Sequence, residues 1–83
     1  MISEDKVKQI ISETFKVRRN DIIMEMTVED IELWDSLGQL ILISNMEKEF
    51  NVIFELEEIF EIMSIRDIFN ILERKGVIQK RLI

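Results

Sequence analysis

The recurrence of apolar residues at every third or fourth position is the feature that most constrains this sequence. The chain has no proline and two glycines, so nothing marks a linker or a repeat, and apolar spacing has to define the structural elements. It predicts a first helix over about residues 3–16, with Ser3 as the N-cap and with Glu4 and Asp5 in the first turn, where the helix dipole favours acids. The apolar face of this helix comprises Val7, Ile10, Ile11, Thr14 and Phe15.

A second and stronger helical pattern runs from Ser36 to Phe50 and is ended by Asn51. At about 100° per residue, one face of this helix carries the predicted core stripe of Leu42, Ile43, Met46 and Phe50. Ile41 points almost directly away from that stripe. It is an apolar residue where water is expected.

The segment between Lys16 and Trp34 keeps no single period, and we predict a long ordered loop. Loops of this length are uncommon in small domains and are often pinned by apolar contacts or functional. A strand over "DIIMEMTV" is a less favoured alternative because it has no obvious partner strand. The expected pins are Ile22, Ile23, Met24, Met26, Val28, Ile31 and Leu33.

Two further helices are predicted towards the end of the chain. A brief one over Glu55 to Met63 would turn Leu56, Ile59, Phe60 and Met63 inward. The last helix begins after Ser64, which has the spacing of a capping box with Asp67, and Gly76 supplies a left-handed stop. Its buried stripe would be Ile65, Ile68, Phe69 and Leu72. The predicted fold is all-α: a small four-helix bundle, with three main helices plus one short helix and a long loop between the first and second helices, in a single domain over residues 1–83.

Composition excludes several classes of function. With 83 residues, of which 47% are hydrophobic, the chain can bury one core. It contains no histidine and no cysteine, so histidine-assisted catalysis, thiolate metal sites and disulfides are excluded. A net charge of −6 repels phosphate backbones, which makes nucleic acid an unexpected ligand and favours partners rich in lysine and arginine.

Nothing in the sequence predicts membrane insertion. The longest apolar run is Leu40–Ile43, whereas a membrane span needs roughly 20 residues. The first ten residues also lack the basic and then apolar order of a signal peptide. We therefore expect a cytoplasmic protein.

One hydroxyl lies where the loop becomes the second helix, in the segment "LWDSLGQL". Ser36 has no histidine or glycine-flanked elbow to activate it as a nucleophile. At a helix start, however, unpaired backbone N–H groups and the positive end of the helix dipole stabilise an attached anion. Ser36 is thus suited to carry a phosphate or a phosphodiester. An ordinary helix cap is the alternative role, although Asp35 could itself be the N-cap.

The order of motifs resembles the acyl carrier proteins over essentially the whole chain. "WDSLGQL" is followed by an apolar helix, by "MEKEF", by an acidic short helix and by a capped last helix. The resemblance implies a non-catalytic carrier in which Ser36, flanked by Asp35 and Leu37, bears covalent 4'-phosphopantetheine derived from coenzyme A. A phosphopantetheinyl transferase would attach that arm, and acyl-loading and acyl-transferring enzymes would use its thiol to carry acyl groups as thioesters. We expect a monomer.

The resemblance also implies a partner face and an acyl pocket. Leu37, Ile41, Glu47 and Glu49 would contact partner enzymes. Gly38, Ile41 and Lys48 stand where carriers for fatty acid synthesis usually have an acid, which indicates a dedicated partner with a more apolar contact surface. Bulky Phe54 and Phe60 would favour a short acyl chain. The residues expected to line the pocket are Leu42, Met46, Phe54, Ile59, Ile62 and Ile68.

Some alternatives stay open. The arm on Ser36 could carry aminoacyl or peptidyl groups, or the chain could be an unmodified helical domain that binds a partner through Leu37 and Ile41. The acidic residues of the third helix favour a solvated face over a divalent cation site, because no calcium-loop spacing is present. They are Glu55, Glu57, Glu58 and Glu61.

Overall fold

Four helices make up the framework of the computed structural model, which describes residues 4–79. Helix α1 spans Glu4–Phe15, α2 Ser36–Phe50, α3 Leu56–Glu61 and α4 Ile65–Arg74. A single 3-10 turn, Arg19–Asp21, interrupts the long connection between α1 and α2. The predicted all-α bundle with a long loop between its first two helices is confirmed. Within the described range, no helix combines the length and the apolar character needed to span a bilayer.

The helix ends follow the chemistry that the sequence indicates. Asn51 ends α2 in the left-handed region, at φ 56°. Ser64 and Asp67 form the predicted capping box at the start of α4. At its other end Gly76 has φ +76°, and the N–H groups of Gly76 and Val77 donate to the carbonyls of Glu73 and Leu72, as in a Schellman motif. Ser3, the predicted cap of α1, lies outside the described residues.

The core lies between α1, α2 and α4, and the predicted stripes of these helices form it. Phe50 is partly buried and packs against the rest, and Thr14 is half-buried and accepts a hydrogen bond of 3.0 Å from Asn45 Nδ2. This bond ties α1 to α2. The buried apolar side chains of the three helices are Val7, Ile10, Ile11, Phe15, Leu42, Ile43, Met46, Ile65, Ile68, Phe69, Ile71 and Leu72.

The long loop is held by side chains and by backbone hydrogen bonds to the start of α4. The N–H groups of Ile65 and Arg66, which have no partner within their own helix, donate to the carbonyls of Met26 and Met24 at 2.9 and 3.0 Å. Five predicted pins contact the core: Ile22, Met24, Met26, Val28 and Ile31. The prediction was wrong for the other two, Ile23 and Leu33, which are exposed because the loop turns them outward.

The prediction of an inward apolar face for the third helix was wrong for three of its four residues. Leu56, Phe60 and Met63 are 64%, 74% and 61% exposed, and within α3 itself no residue is buried. The helix has six residues and lies at the edge of the bundle, where only Ile59 packs partly against the core. After the helix ends, the extended backbone of Ile62 turns that side chain into the core instead of Met63.

Lys75 ties α3 and the preceding connection to the end of α4. Its Nζ lies 2.7 Å from the Glu58 carboxylate and 2.7 Å from the Ile53 carbonyl that accepts its hydrogen bond, and it sits 5.2 Å from the centre of the Phe54 ring. The pKa of Glu58 lies below its ordinary value of 4.5. The main cause is the hydrogen bond that its carboxylate accepts from Lys75, and the second is the one that it accepts from the Glu55 N–H. The ion pair thus holds α3 from the side of α4.

Replacing Glu58 with glutamine is expected to lower the free energy of unfolding by about 1 kcal/mol at neutral pH. Because the folded-state pKa is depressed, the charged form stabilises the fold above pH 4.5, and this stabilisation is lost as the pH falls through the folded-state pKa. Urea unfolding followed by circular dichroism at neutral and acidic pH should therefore show the difference from wild type shrinking in acid.

Glu57→Gln is the matched control, since Glu57 is exposed on the same helix and forms no ion pair within residues 4–79. It should lower the free energy of unfolding at neutral pH by less than Glu58→Gln does. A Glu58→Gln difference that is the same at both pH values would contradict this account of the ion pair.

Candidate functional site

Ser36 is the first residue of α2, and its neighbour provides the cap. Asp35 is the N-cap residue, and its Oδ1 accepts a hydrogen bond of 2.7 Å from the Gly38 N–H. The alternative role of Ser36 as the cap is therefore filled by Asp35. Ser36 is exposed, and none of the hydrogen bonds within residues 4–79 uses its hydroxyl. The hydroxyl is open to a modifying enzyme at the positive end of the helix.

The other described serines are placed differently. Ser12 donates to the Val17 carbonyl, and Ser64 accepts from the Asp67 N–H as the cap of α4. Ser44 is exposed but lies in the middle of α2, where the backbone N–H groups are engaged in the helix and offer nothing to an anion. Ser36 therefore differs from Ser44 in its position at a helix start, not in exposure.

Gly38 allows the loop to pass closely over the first turn of α2. A Cβ built at this position would overlap the carbonyl oxygen of Leu33 and would lie 3.3 Å from Asp35 Oδ1. Gly38 is buried, so it is not part of the exposed face of α2. Position 38 lacks an acid because of this close packing. The interpretation of Gly38 as a sign of partner choice was therefore wrong.

A groove of about 450 Å³ opens beside Ser36, between the start of α2, the end of the loop and α3. Most of its lining side chains are apolar. Its walls comprise Val28, Trp34, Asp35, Ser36, Gln39, Leu40, Ile59, Phe60 and Ile62.

Two of the six residues predicted for an acyl pocket, Ile59 and Ile62, line this groove. The other four are buried in the core. Their assignment to an acyl pocket stays a prediction. These four are Leu42, Met46, Phe54 and Ile68.

Two successive hydrogen bonds link three residues of the groove wall. Trp34 Nε1 donates to Gln39 Oε1 at 2.6 Å, and Gln39 Nε2 donates to the Ile59 carbonyl at 3.0 Å. The indole also stacks on Phe15, with the ring centres 5.3 Å apart. Sequence reasoning gave no role to Trp34 or Gln39, although the single tryptophan of the chain, next to "DSL", was an available signal.

The residues predicted for the partner face lie in three different places. Leu37 and Ile41 are exposed on α2 near Ser36, and Leu40, which was not predicted, is exposed beside them. Glu47 is half-buried and accepts a hydrogen bond of 2.9 Å from the Phe54 N–H. Glu49 lies 3.5 Å from Lys6 on α1. Both acids thus have contacts within the fold, and their part in partner binding stays a prediction.

Two of the acidic residues of α3 form ion pairs with the end of α4. Glu58 pairs with Lys75, and Glu61 pairs with Arg74 at 3.2 Å. Glu55 and Glu58 form a capping box. Across residues 4–79, no cluster of acidic side chains is arranged to hold a metal ion.

Comparison with known families agrees with this geometry. A sequence model of the family described as "phosphopantetheine attachment site" matches residues 5–72. The comparison with curated proteins gives no match. The chain therefore belongs to this family of non-catalytic carriers, which are of the acyl carrier protein type and bear covalently attached 4'-phosphopantetheine.

The residues present fit that cofactor. An exposed serine hydroxyl at the start of a 15-residue helix can be esterified to form a phosphodiester. The helix dipole stabilises the negative charge of that group. When bound, the cofactor supplies the thiol that this chain, with no cysteine, lacks.

Proposed function

We propose that this protein is an acyl carrier that bears 4'-phosphopantetheine on Ser36 and delivers a thioester-bound acyl group to the enzymes of a dedicated biosynthetic pathway. The observation that carries the proposal is the position of Ser36, which is exposed in the first turn of α2 while Asp35 caps that helix. Among the described serines, Ser36 alone combines exposure with a helix start.

The attachment needs no catalytic group from this chain. The Ser36 oxygen forms a new bond to the phosphorus that bears the pantetheine arm in coenzyme A, and the bond to the adenosine bisphosphate portion breaks. The proton of the hydroxyl passes to a base of the phosphopantetheinyl transferase, since the chain has no histidine and the neighbouring Asp35 carboxylate is engaged as the cap of α2. Asp35 keeps the hydroxyl free by capping α2 in its place.

The groove favours acyl cargo over aminoacyl or peptidyl cargo. Leu40, Ile59, Phe60 and Ile62 present apolar walls, where an ammonium group would lose hydration. The charged wall residue, Asp35, already caps α2 with its carboxylate. Gln39 is the other polar wall residue next to Ser36, and its amide is already engaged at both ends. The chemistry of the walls therefore supports a carrier of apolar acyl groups.

Exposed apolar residues next to Ser36 support a partner with an apolar contact surface. Carriers of this family interact with modifying and acyl-handling enzymes. Here Leu37, Leu40 and Ile41 occupy the face of α2 closest to the attachment point, and this face presents no acid. We propose that they contact partner enzymes of a dedicated pathway rather than those of a general fatty acid synthase. The monomeric state and the cytoplasmic location stay predictions.

Incubation with coenzyme A and a promiscuous phosphopantetheinyl transferase tests the proposal. Intact-mass spectrometry is expected to show the gain of one phosphopantetheine on the wild-type chain and no gain on Ser36→Ala. Ser44→Ala is the matched control, since it removes an exposed hydroxyl from the same helix, and it should be modified like wild type.

The alternative of an unmodified interaction domain makes the opposite prediction. If wild type, Ser36→Ala and Ser44→Ala all keep their original mass while a known carrier is modified in the same mixture, the carrier proposal fails. Circular dichroism of each variant shows whether it is folded, so that a missing modification is not confused with unfolding.

A further inference from the structure

Gln39 is the polar link between the attachment helix and α3. Its amide nitrogen donates to the Ile59 carbonyl at 3.0 Å, while its amide oxygen accepts from Trp34 at 2.6 Å. The indole is itself fixed by stacking on Phe15. The side chain of Gln39 is therefore anchored at one end to the core and joined at the other end to α3.

Little apolar packing holds α3 against α2. No residue of α3 is buried, and Ile59 alone packs partly against the core. Segments with few buried apolar contacts open at lower free energy than the rest of a fold. A single hydrogen bond can therefore have a measurable share in holding this helix in place.

The opposite side of α3 is tied to α4 by two ion pairs. Glu58 lies 2.7 Å from Lys75, and Glu61 lies 3.2 Å from Arg74. When α3 moves away from α2, these two pairs can persist while the bond from Gln39 to Ile59 breaks. The contacts thus favour a hinge on the α4 side and an opening on the side of Ser36.

We propose that Gln39 is a positioning residue that limits how far the groove beside Ser36 opens. With the bond to Ile59 intact, α3 stays against the start of α2, and an apolar group that reaches between the two helices requires that bond to break. The consequence for cargo rests on the proposed acyl carrier function: Gln39 sets the size above which sheltering an acyl group needs α3 to move.

Amide hydrogen exchange of the full-length, unmodified chain tests the opening. In Gln39→Ala, the amides of Ile59 and Ile62, which donate to the carbonyls of Glu55 and Ile59, are expected to exchange roughly threefold to tenfold faster, as the loss of one neutral hydrogen bond predicts. The amides of Lys75 and Val77 at the end of α4 should keep their wild-type rates.

Two further variants separate the hydrogen bond from other effects. Gln39→Glu keeps the side-chain volume and an acceptor for Trp34 but removes the donor to Ile59, so it should speed exchange in α3 as alanine does. Asn45→Ala removes another side-chain amide hydrogen bond of α2, the one to Thr14, and should leave α3 unchanged. The proposal is overturned if α3 exchange is unaltered in both Gln39 variants, or if all amides accelerate together.

The consequence for cargo is measured on chains loaded from acetyl- and octanoyl-coenzyme A by the transferase. Hydroxylamine should cleave the octanoyl thioester several-fold more slowly on Gln39→Ala than on wild type and the acetyl thioester at the same rate on both. Equal octanoyl rates would overturn the limit on cargo size. If no chain can be loaded, the proposed function fails, whereas hydrogen exchange still decides the role of Gln39.

Discussion

Replacing Gly38 with alanine is expected to lower the free energy of unfolding by about 3 kcal/mol, even though alanine favours helices over glycine by roughly 1 kcal/mol. The added methyl group would overlap the backbone carbonyl of Leu33, which cannot rotate away as a side chain would. Either the end of the loop or the first turn of α2 has to shift. The cap from Asp35 to the Gly38 N–H lies at that point, so the presentation of Ser36 should change as well.

Urea unfolding followed by circular dichroism measures this effect, with Gly76→Ala as the control. At Gly76 a Cβ would meet nothing within 4 Å, but φ is +76°. The expected cost there is about 1 kcal/mol, from the left-handed backbone alone. A Gly38→Ala variant as stable as wild type, or one less affected than Gly76→Ala, would show that the close approach of the loop is not a constraint on this fold.

Replacing Trp34 with alanine is expected to lower the free energy of unfolding by about 3–5 kcal/mol, an effect similar to that of Gly38→Ala. Trp34 is buried, stacks on Phe15 and forms one wall of the groove. Its loss also leaves the Gln39 amide oxygen without its donor. Since small domains have a total stability of about 5–15 kcal/mol, a substantial fraction of the variant should be unfolded under mild conditions.

The conservative variant Trp34→Phe separates the ring from its N–H group. It keeps an aromatic ring against Phe15 but removes the donor to Gln39, and about 1–2 kcal/mol of destabilisation is expected. Circular dichroism is the suitable measurement, because both variants lack the single tryptophan that a fluorescence measurement would use. A Trp34→Ala variant within 1 kcal/mol of wild type would contradict the role given to this side chain.

The three longer helices could be predicted because their apolar residues repeat over several turns. In α4 the stripe of Ile65, Ile68, Phe69 and Leu72 is fully buried, and its capping box and Gly76 stop are local motifs. In α3 the same reasoning failed, because six residues make fewer than two turns and cannot define a face. Burial of Phe60 or Ile62 there depends on where the helix lies on the bundle.

The candidate site, too, could be predicted from the sequence only in part. The start of α2 at Ser36 follows from a local motif, whereas the structure decides that Asp35 and not Ser36 is the cap. The groove does not, because Trp34, Gln39 and Ile59 meet only when the loop, α2 and α3 come together. Likewise, sequence alone could not show that the Glu47 carboxylate binds the Phe54 N–H, or that Gly38 is needed for close packing rather than for partner choice.

The most direct measurement of the central claim is the location of the added mass within the modified chain. After incubation with coenzyme A and the transferase, proteolysis and fragment-ion mass spectrometry can assign the phosphopantetheine to one residue. We expect all of it on Ser36 and none on Ser44 or any other serine. Modification at a different residue would contradict the account. So would an intact chain that gains one phosphopantetheine while its Ser36-containing peptide keeps the original mass.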